Sequence, residues 1–149
     1  VLFRSEALGH LLGRGASVLN AEGIILWMGA GEELIAVTAH GYDPAMLARM
    51  GPVPRHANNA TATAWRSGQP GVVAGDSTSS GAIVAPMFGA EGCIGVLTAE
   101  VRNGRERNMA TRAVASMFAA QLATIVSAWP APSERHAQAE DNGPIAAAL

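Results

Sequence analysis

The chain contains no lysine, although its 149 residues include ten basic ones. Schiff-base catalysis and a phosphate-binding loop that ends in lysine both need that side chain, so both are excluded. A single cysteine, Cys93, excludes an internal disulfide and a zinc site built from several cysteines. Charged residues make up only 15% of the chain, below the ~25% typical of a soluble domain. A formal net charge of −2 gives no reason to expect a nucleic-acid partner.

Long uninterrupted apolar runs are also lacking. Polar residues interrupt the most apolar segment, Val114–Trp129, which falls short of the ~18 apolar residues of a membrane span. We therefore expect no membrane contact and a cytoplasmic location. Hydrophobic residues nevertheless make up 49% of the chain, enough for the core of one domain.

Residues Gly81–Glu100 carry the clearest pattern. Two apolar runs flank the short turn Gly89–Gly92, as in two buried antiparallel strands. Pro86 is placed at the end of the first run, where it removes few ladder hydrogen bonds. A second hairpin is predicted from Gly23–Met28 and Leu34–His40.

Helical spacing, caps and breakers complete the predicted order. The helices are Glu6–Leu19, Pro44–Met50, one that starts after Asn58 or Asn59 and runs through Arg66, and Arg107–Trp129; a further short strand is Gly71–Ala74. This order predicts an α+β fold. It has a central antiparallel sheet of about five strands, terminal helices on one face, and small helices and loops on the other.

Three stretches resemble the GAF domain family, a group of sensory and regulatory signalling domains. They are Ala62–Asp76, the hairpin Ala85–Glu100 with its Ile94–Leu97 run, and the Ala119–Ala123 segment of the last helix. The resemblance implies a regulatory module of a bacterial signal-transduction protein that binds a small molecule and signals through its terminal helices. The alternatives are a ligand-free dimerisation module and, less favoured, a small enzyme on the same fold.

The family's cofactor signatures are missing from this sequence. The cyclic-nucleotide motif needs a lysine, and the bilin-attaching Cys-His pair and the cysteine set of the free-methionine-sulfoxide reductases are not present. The ligand and cofactor therefore stay unknown. The four histidines have no metal-ligand spacing, and no serine nucleophile elbow is found, so neither a metal site nor catalysis is predicted.

Polar loop residues supply the candidate ligand site, because this fold binds its ligands between the sheet and the intervening loops. The candidates are Tyr42, Asp43, Arg55, His56, Asn58, Asp76, Ser77, Thr78 and Ser79. Convergent polar groups over an apolar floor are typical of small-molecule pockets. Arg55 is expected to pair with an anionic group. Cys93 is interpreted as a small buried hydrophobe.

The last helix carries a broad apolar stripe, interpreted first as core. As in other family members, it is also expected to contact a second copy in a homodimer, through Val114, Phe118, Leu122, Val126 and Trp129. Its second face is expected to be mostly alanine.

Three segments divide the chain. Residues 1–5 are interpreted as a sequencing-adapter scar, 6–129 as the domain with a truncated start, and 130–149 as a disordered tail.

Overall fold

A computed structural model describes residues 2–128, with side chains from residue 6 onward. The helices are α1 (Leu2–Leu19), α2 (Pro44–Arg49), α3 (Ala60–Ser67) and α4 (Met109–Val126), and a short 3₁₀ turn covers Arg105–Arg107. The strands are β1 (Ala21–Ala30), β2 (Glu33–His40), β3 (Val53–Pro54), β4 (Gly71–Val73), β5 (Gly81–Gly89) and β6 (Gly92–Val101).

All six strands form one antiparallel sheet in the order β3-β2-β1-β6-β5-β4. Side chains alternate between its faces, as the pleat requires. On β1, Ile24 and Leu26 belong to the core cluster under the terminal helices. Ile25 and Trp27 belong to a second cluster on the opposite face. The sheet is therefore the middle layer of three, and the predicted α+β architecture is confirmed.

Helix α4 meets the sheet through its small residues. Its buried residues are Ala115, Ala119, Leu122, Ala123 and Val126. The expectation that the bulky stripe forms the core and alanine the second face is therefore wrong for most of the helix. Alanine lets the helix axis approach the sheet closely, and Met117 and Ile125 are left on the exposed side. Leu122 and Val126 are the stripe residues that do lie in the core.

The second face of the sheet is covered mainly by α3. Trp65 of α3 is buried against Trp27, Val84 and Val96. Asn59 caps α3, because its side chain accepts a hydrogen bond from the Ala62 N–H at 2.8 Å. Of the two predicted caps, Asn59 is the one used.

Several features of the structure differ from the predictions. The predicted count of about five strands misses β3, because Pro52 just before it and its own Pro54 predict a helix break; at a sheet edge, proline is tolerated. Pro86 lies within β5 opposite Val96, not at its end, and β4 pairs with β5 only as far as Val84. The last helix starts at Met109 after a separate 3₁₀ turn, and its predicted end at Trp129 lies outside the described residues.

Candidate functional site

The predicted ligand residues lie in two separate groups, one near each end of strand β2. Tyr42 lies two residues after the last residue of β2, His40. The Arg55 N–H donates to the carbonyl of Glu32, just before the first residue of β2. Eight strand residues span roughly 23 Å at about 3.3 Å each. Tyr42 and Arg55 therefore line different ends of the domain.

Tyr42 forms the centre of the first end. Its hydroxyl donates a 2.7 Å hydrogen bond to Oε2 of Glu100 on β6. The ring lies against Gly23 and leaves no room for a Cβ there. Burial of the partly buried phenol raises its pKa, and the hydrogen bond to Glu100 raises the pKa further. Tyr42 is therefore a neutral donor held over the sheet by a carboxylate.

A second carboxylate, Glu22, joins the neighbouring loop to this end. Ser80 Oγ donates to Glu22 Oε2 at 2.7 Å, and Arg102 forms a salt bridge with Oε1. The Ser80 hydrogen bond, followed by the charge of Arg102, lowers the pKa of Glu22. Glu22 and Glu100 lie on the paired strands β1 and β6, where Gly23 is opposite Glu100. We call Glu22, Tyr42, Ser80, Glu100 and Arg102 the acidic end of the sheet.

The Asp76 loop lies beside this acidic end and is folded around its own aspartate. Asp76 Oδ1 accepts three hydrogen bonds, from the N–H and Oγ1 of Thr78 and from the N–H of Ser79, at 2.7–2.8 Å. These bonds lower the pKa of Asp76 to about 2. Ser77 is exposed at the tip. The loop thus holds one ionised carboxylate and several hydroxyls in a fixed turn.

Glu106, which the sequence reasoning missed, anchors that loop. Its carboxylate is 1% exposed, lies against Gly81 and accepts the Gly75 N–H at 3.1 Å through Oε1. This backbone hydrogen bond lowers its pKa. Within the described residues, Oε2 has no partner. A glutamate inside the polar run Arg102–Asn108 gives no sequence signal of burial, because charged residues in such runs are usually exposed.

At the second end, Arg55 is engaged within the domain. Its guanidinium lies 4.6 Å from the ring centroid of Trp65, a cation–π distance. The Arg66 guanidinium donates to the carbonyls of Arg55 and Ala57, at 2.6 and 3.0 Å. His56 and Asn58 are exposed nearby. Asp43 is a helix cap, since it accepts the Ala45 N–H at the start of α2.

Cys93 packs beside the Trp65 cluster. Its thiol donates to the Gly95 carbonyl at 3.3 Å. Burial raises the pKa of the thiol, and this outweighs the opposing effects of nearby hydrogen bonds and of Arg55. A raised pKa disfavours the reactive thiolate. These features fit the interpretation of Cys93 as a packing residue.

The outer side of α1 and α4 is apolar and exposed. Val18, Met117 and Ile125 are 72%, 65% and 40% exposed. Between the helices lies a groove of about 380 Å³, whose lining includes Leu11, Arg14, Val18, Val114, Met117 and Phe118. We call this groove with Ile125 the outer helix face. By length and composition α4 would suffice to cross a membrane, but its five buried residues belong to the core of this domain.

Comparison with known families identifies the fold. The GAF domain family model matches residues 5–128. The chain belongs to the GAF domain family. No curated protein matches the chain.

Several solved structures share this GAF fold. The second GAF domain of DevS from Mycobacterium smegmatis is 24% identical with a TM-score of 0.66, and the match covers 89% of this chain and 98% of that one. The GAF domain of an Acinetobacter phosphoenolpyruvate-protein phosphotransferase is 9% identical with a TM-score of 0.69, over 83% and 82%. Free methionine-R-sulfoxide reductase from Neisseria meningitidis, solved with its substrate, is 18% identical with a TM-score of 0.66, over 81% and 76%. At these identities the likeness concerns the fold alone, and the enzyme among them leaves catalysis on this fold open.

Proposed function

We propose that this GAF domain is a regulatory module of a bacterial, cytoplasmic signal-transduction protein that pairs with a second copy through its outer helix face. The observation that carries the proposal is the outward position of Val18, Met117 and Ile125. Fully burying a side chain of this size is worth about 1.5–3 kcal/mol. A partner that covers several such exposed apolar side chains removes them from water, so a surface of this kind marks an interaction site.

The charge distribution supports a second copy as that partner. Arg112 is the one charged residue of α4, and it lines a different groove near the start of the helix. A face that meets its own copy brings like charges together, so the uncharged α4 side of this face suits a symmetric pair. Among the described residues, Arg14 of α1 is the one charged residue in the lining of the groove. Packing of α4 against its copy would place the C-terminal ends of the two α4 helices side by side, which is how the terminal helices would pass a signal.

The structure does not leave all of the residues expected at this interface on the exposed surface. Phe118 and Val114 are partly buried beside α1, and Phe118 closes the groove against Gly15. Leu122 and Val126 are core residues, so changing them would test folding and not association. Trp129 lies outside the described residues. Met117 and Ile125 are therefore the better probes of the proposed interface.

Light scattering coupled to size exclusion tests the pairing. The wild-type protein is expected to show a dimer mass at tens of micromolar, and Met117→Glu is expected to shift it to a monomer. Met109→Glu is the matched control, because Met109 is 82% exposed but lines a separate groove. A wild-type monomer at every concentration, or equal loss of dimer in both variants, would contradict the proposal.

A second candidate function is the binding of a small molecule at the acidic end. The weak packing of α2 against the rest of the domain favours it. This helix follows Tyr42 and has no buried residue, so little apolar contact opposes its displacement. The charged groups of the neighbouring acidic end are the carboxylates of Glu22 and Glu100 and the guanidinium of Arg102, and this excess of carboxylates suits a ligand that donates hydrogen bonds or carries positive charge. Arg55, the expected anion partner, lies at the other end. Native mass spectrometry of protein purified from cells is expected to show a bound small molecule that Tyr42→Phe or Glu100→Gln loses. A consistently unliganded wild-type protein would count against it.

A further inference from the structure

One face of α1 presents polar side chains to solvent, on the opposite face of the sheet from α3. His10, Arg14 and Ser17 are exposed on successive turns of the helix. Positions three, four and seven residues apart lie on one side of an α-helix. His40, at the end of β2, lies across this side of α1. Together these four residues form the polar part of a groove of about 530 Å³, here called the α1 groove.

Two glycines shape the α1 groove. Gly13 lies beneath the His40 ring, and a Cβ there would lie 3.3 Å from Cε1 and Nδ1 of the imidazole. Gly9, one turn earlier, has open space around its Cβ position. A side chain at position 13 would press on the ring, and one at position 9 would enter the groove. The glycines therefore keep the imidazole against the helix and leave room for a ligand beside it.

Within the described part of the chain, the lining of the α1 groove contains a positively charged side chain but no negatively charged one. Its lining contains one arginine, two histidines and one serine, and no carboxylate. Within residues 6–128, Arg14 makes no salt bridge and no side-chain hydrogen bond. A guanidinium with no internal acceptor suits an external oxyanion.

We propose that the α1 groove binds a phosphate-type oxyanion. Arg14 supplies two parallel N–H donors, and His10, His40 and Ser17 supply single donors. Helix neighbours four residues apart have Cβ atoms roughly 5–6 Å apart, so His10 and Arg14 reach a single tetrahedral anion from the same side. Arg14 and Val18 also line the outer helix face. An anion held here would therefore fix side chains that border the proposed pairing surface, although the binding itself does not depend on pairing.

Amide NMR of the whole chain tests the site directly. Inorganic phosphate is titrated against chloride at equal ionic strength, with a chelator present to remove metal ions. The amides of Gly9, Gly13 and Gly41 are expected to shift and saturate together. Arg14→Gln removes a charge-assisted pair worth about 1.5–3 kcal/mol, which corresponds to a dissociation constant roughly 10- to 100-fold weaker. Arg49→Gln, on exposed α2, is the matched control and should titrate as the wild type does.

A second variant and a second anion complete the test. His40→Gln is expected to weaken phosphate binding even if Arg14→Gln does not fold, and the amide spectrum itself reports folding. Glycerol 3-phosphate in place of inorganic phosphate shows whether the site takes phosphate monoesters; saturable shifts with either anion support the proposal. Non-saturating shifts, equal titration of wild type and Arg14→Gln, or a response to zinc but not to phosphate would overturn it, the last by indicating a two-histidine metal site.

Discussion

Tyr42 is the only tyrosine in the chain, so the absorbance of its phenolate can be followed without interference from another tyrosine. Burial, and then the 2.7 Å hydrogen bond to Glu100, raise its pKa in the folded protein. An unperturbed tyrosine titrates near pH 10. The folded protein is therefore expected to show a midpoint well above that value, and the urea-unfolded protein a midpoint near it. Glu100→Gln should lower the folded midpoint only in part, because burial is the larger cause.

The same contact predicts a stability effect with a defined sign. A hydrogen bond to a charged group is worth about 1.5–3 kcal/mol; because both side chains are partly exposed, we expect Tyr42→Phe to cost about 1–2 kcal/mol at pH 7. The raised pKa means that the folded state retains the phenol proton more tightly than the unfolded state. The stabilisation is thus complete below about pH 10 and is lost as pH rises toward the folded pKa.

Urea denaturation at several pH values measures both quantities. Wild-type stability is expected to fall more steeply above pH 10 than that of Tyr42→Phe, so that the two curves converge. If the folded phenol titrates near pH 10, or the stability difference between the two proteins does not change with pH, the Tyr42–Glu100 contact does not stabilise the acidic end.

Two matched pairs of substitutions test the packing that supports the sites. Asn59→Ala removes the α3 cap and should cost about 1 kcal/mol in urea denaturation, whereas Asn58→Ala should change stability by less than about 0.5 kcal/mol; equal losses would contradict the cap assignment. Gly9→Ala should stabilise α1 by about 0.5–1 kcal/mol, since glycine is a poor helix former and the space is open. Gly15→Ala should instead destabilise by about 1–2 kcal/mol, because its Cβ would overlap the Phe118 ring, and a gain in thermal stability for that variant would refute the groove packing.

Local signals predict most of this fold. Helix α2 starts at Pro44 as predicted, and Asn59, one of the two predicted caps, is the one that caps α3. The glycine turn at Gly89–Gly92 joins the predicted hairpin. Each of these features depends on residues within a few positions of one another, so a single sequence carries the information.

The arrangement of the sites depends on contacts between distant residues, which a single sequence does not reveal. Tyr42 meets Glu100, and Ser80 meets Glu22, each across 58 positions. The prediction of which face of α4 is buried is wrong for a different reason. An apolar stripe shows that a helix is amphipathic, but when alanine and bulky residues share the helix, their sizes decide which side packs on the sheet. Close approach favours alanine, and the bulky residues become surface.

The two terminal helices are attached to the domain at its acidic end, and this placement links the two proposed functions. Helix α1 ends at Leu19, and only Asn20 separates it from β1. Glu22 and Gly23, which lies beneath the Tyr42 ring, follow at the start of that strand. Helix α4 begins after the 3₁₀ turn whose Glu106 holds the Asp76 loop. A ligand that displaced Tyr42 or the Asp76 loop would therefore act within a few residues of both helix attachments. The long, regular helices would carry that displacement to the outer helix face without requiring a change in the sheet core. On this argument, Glu106→Gln should uncouple ligand binding from pairing, whereas Met117→Glu should abolish pairing and leave ligand binding intact.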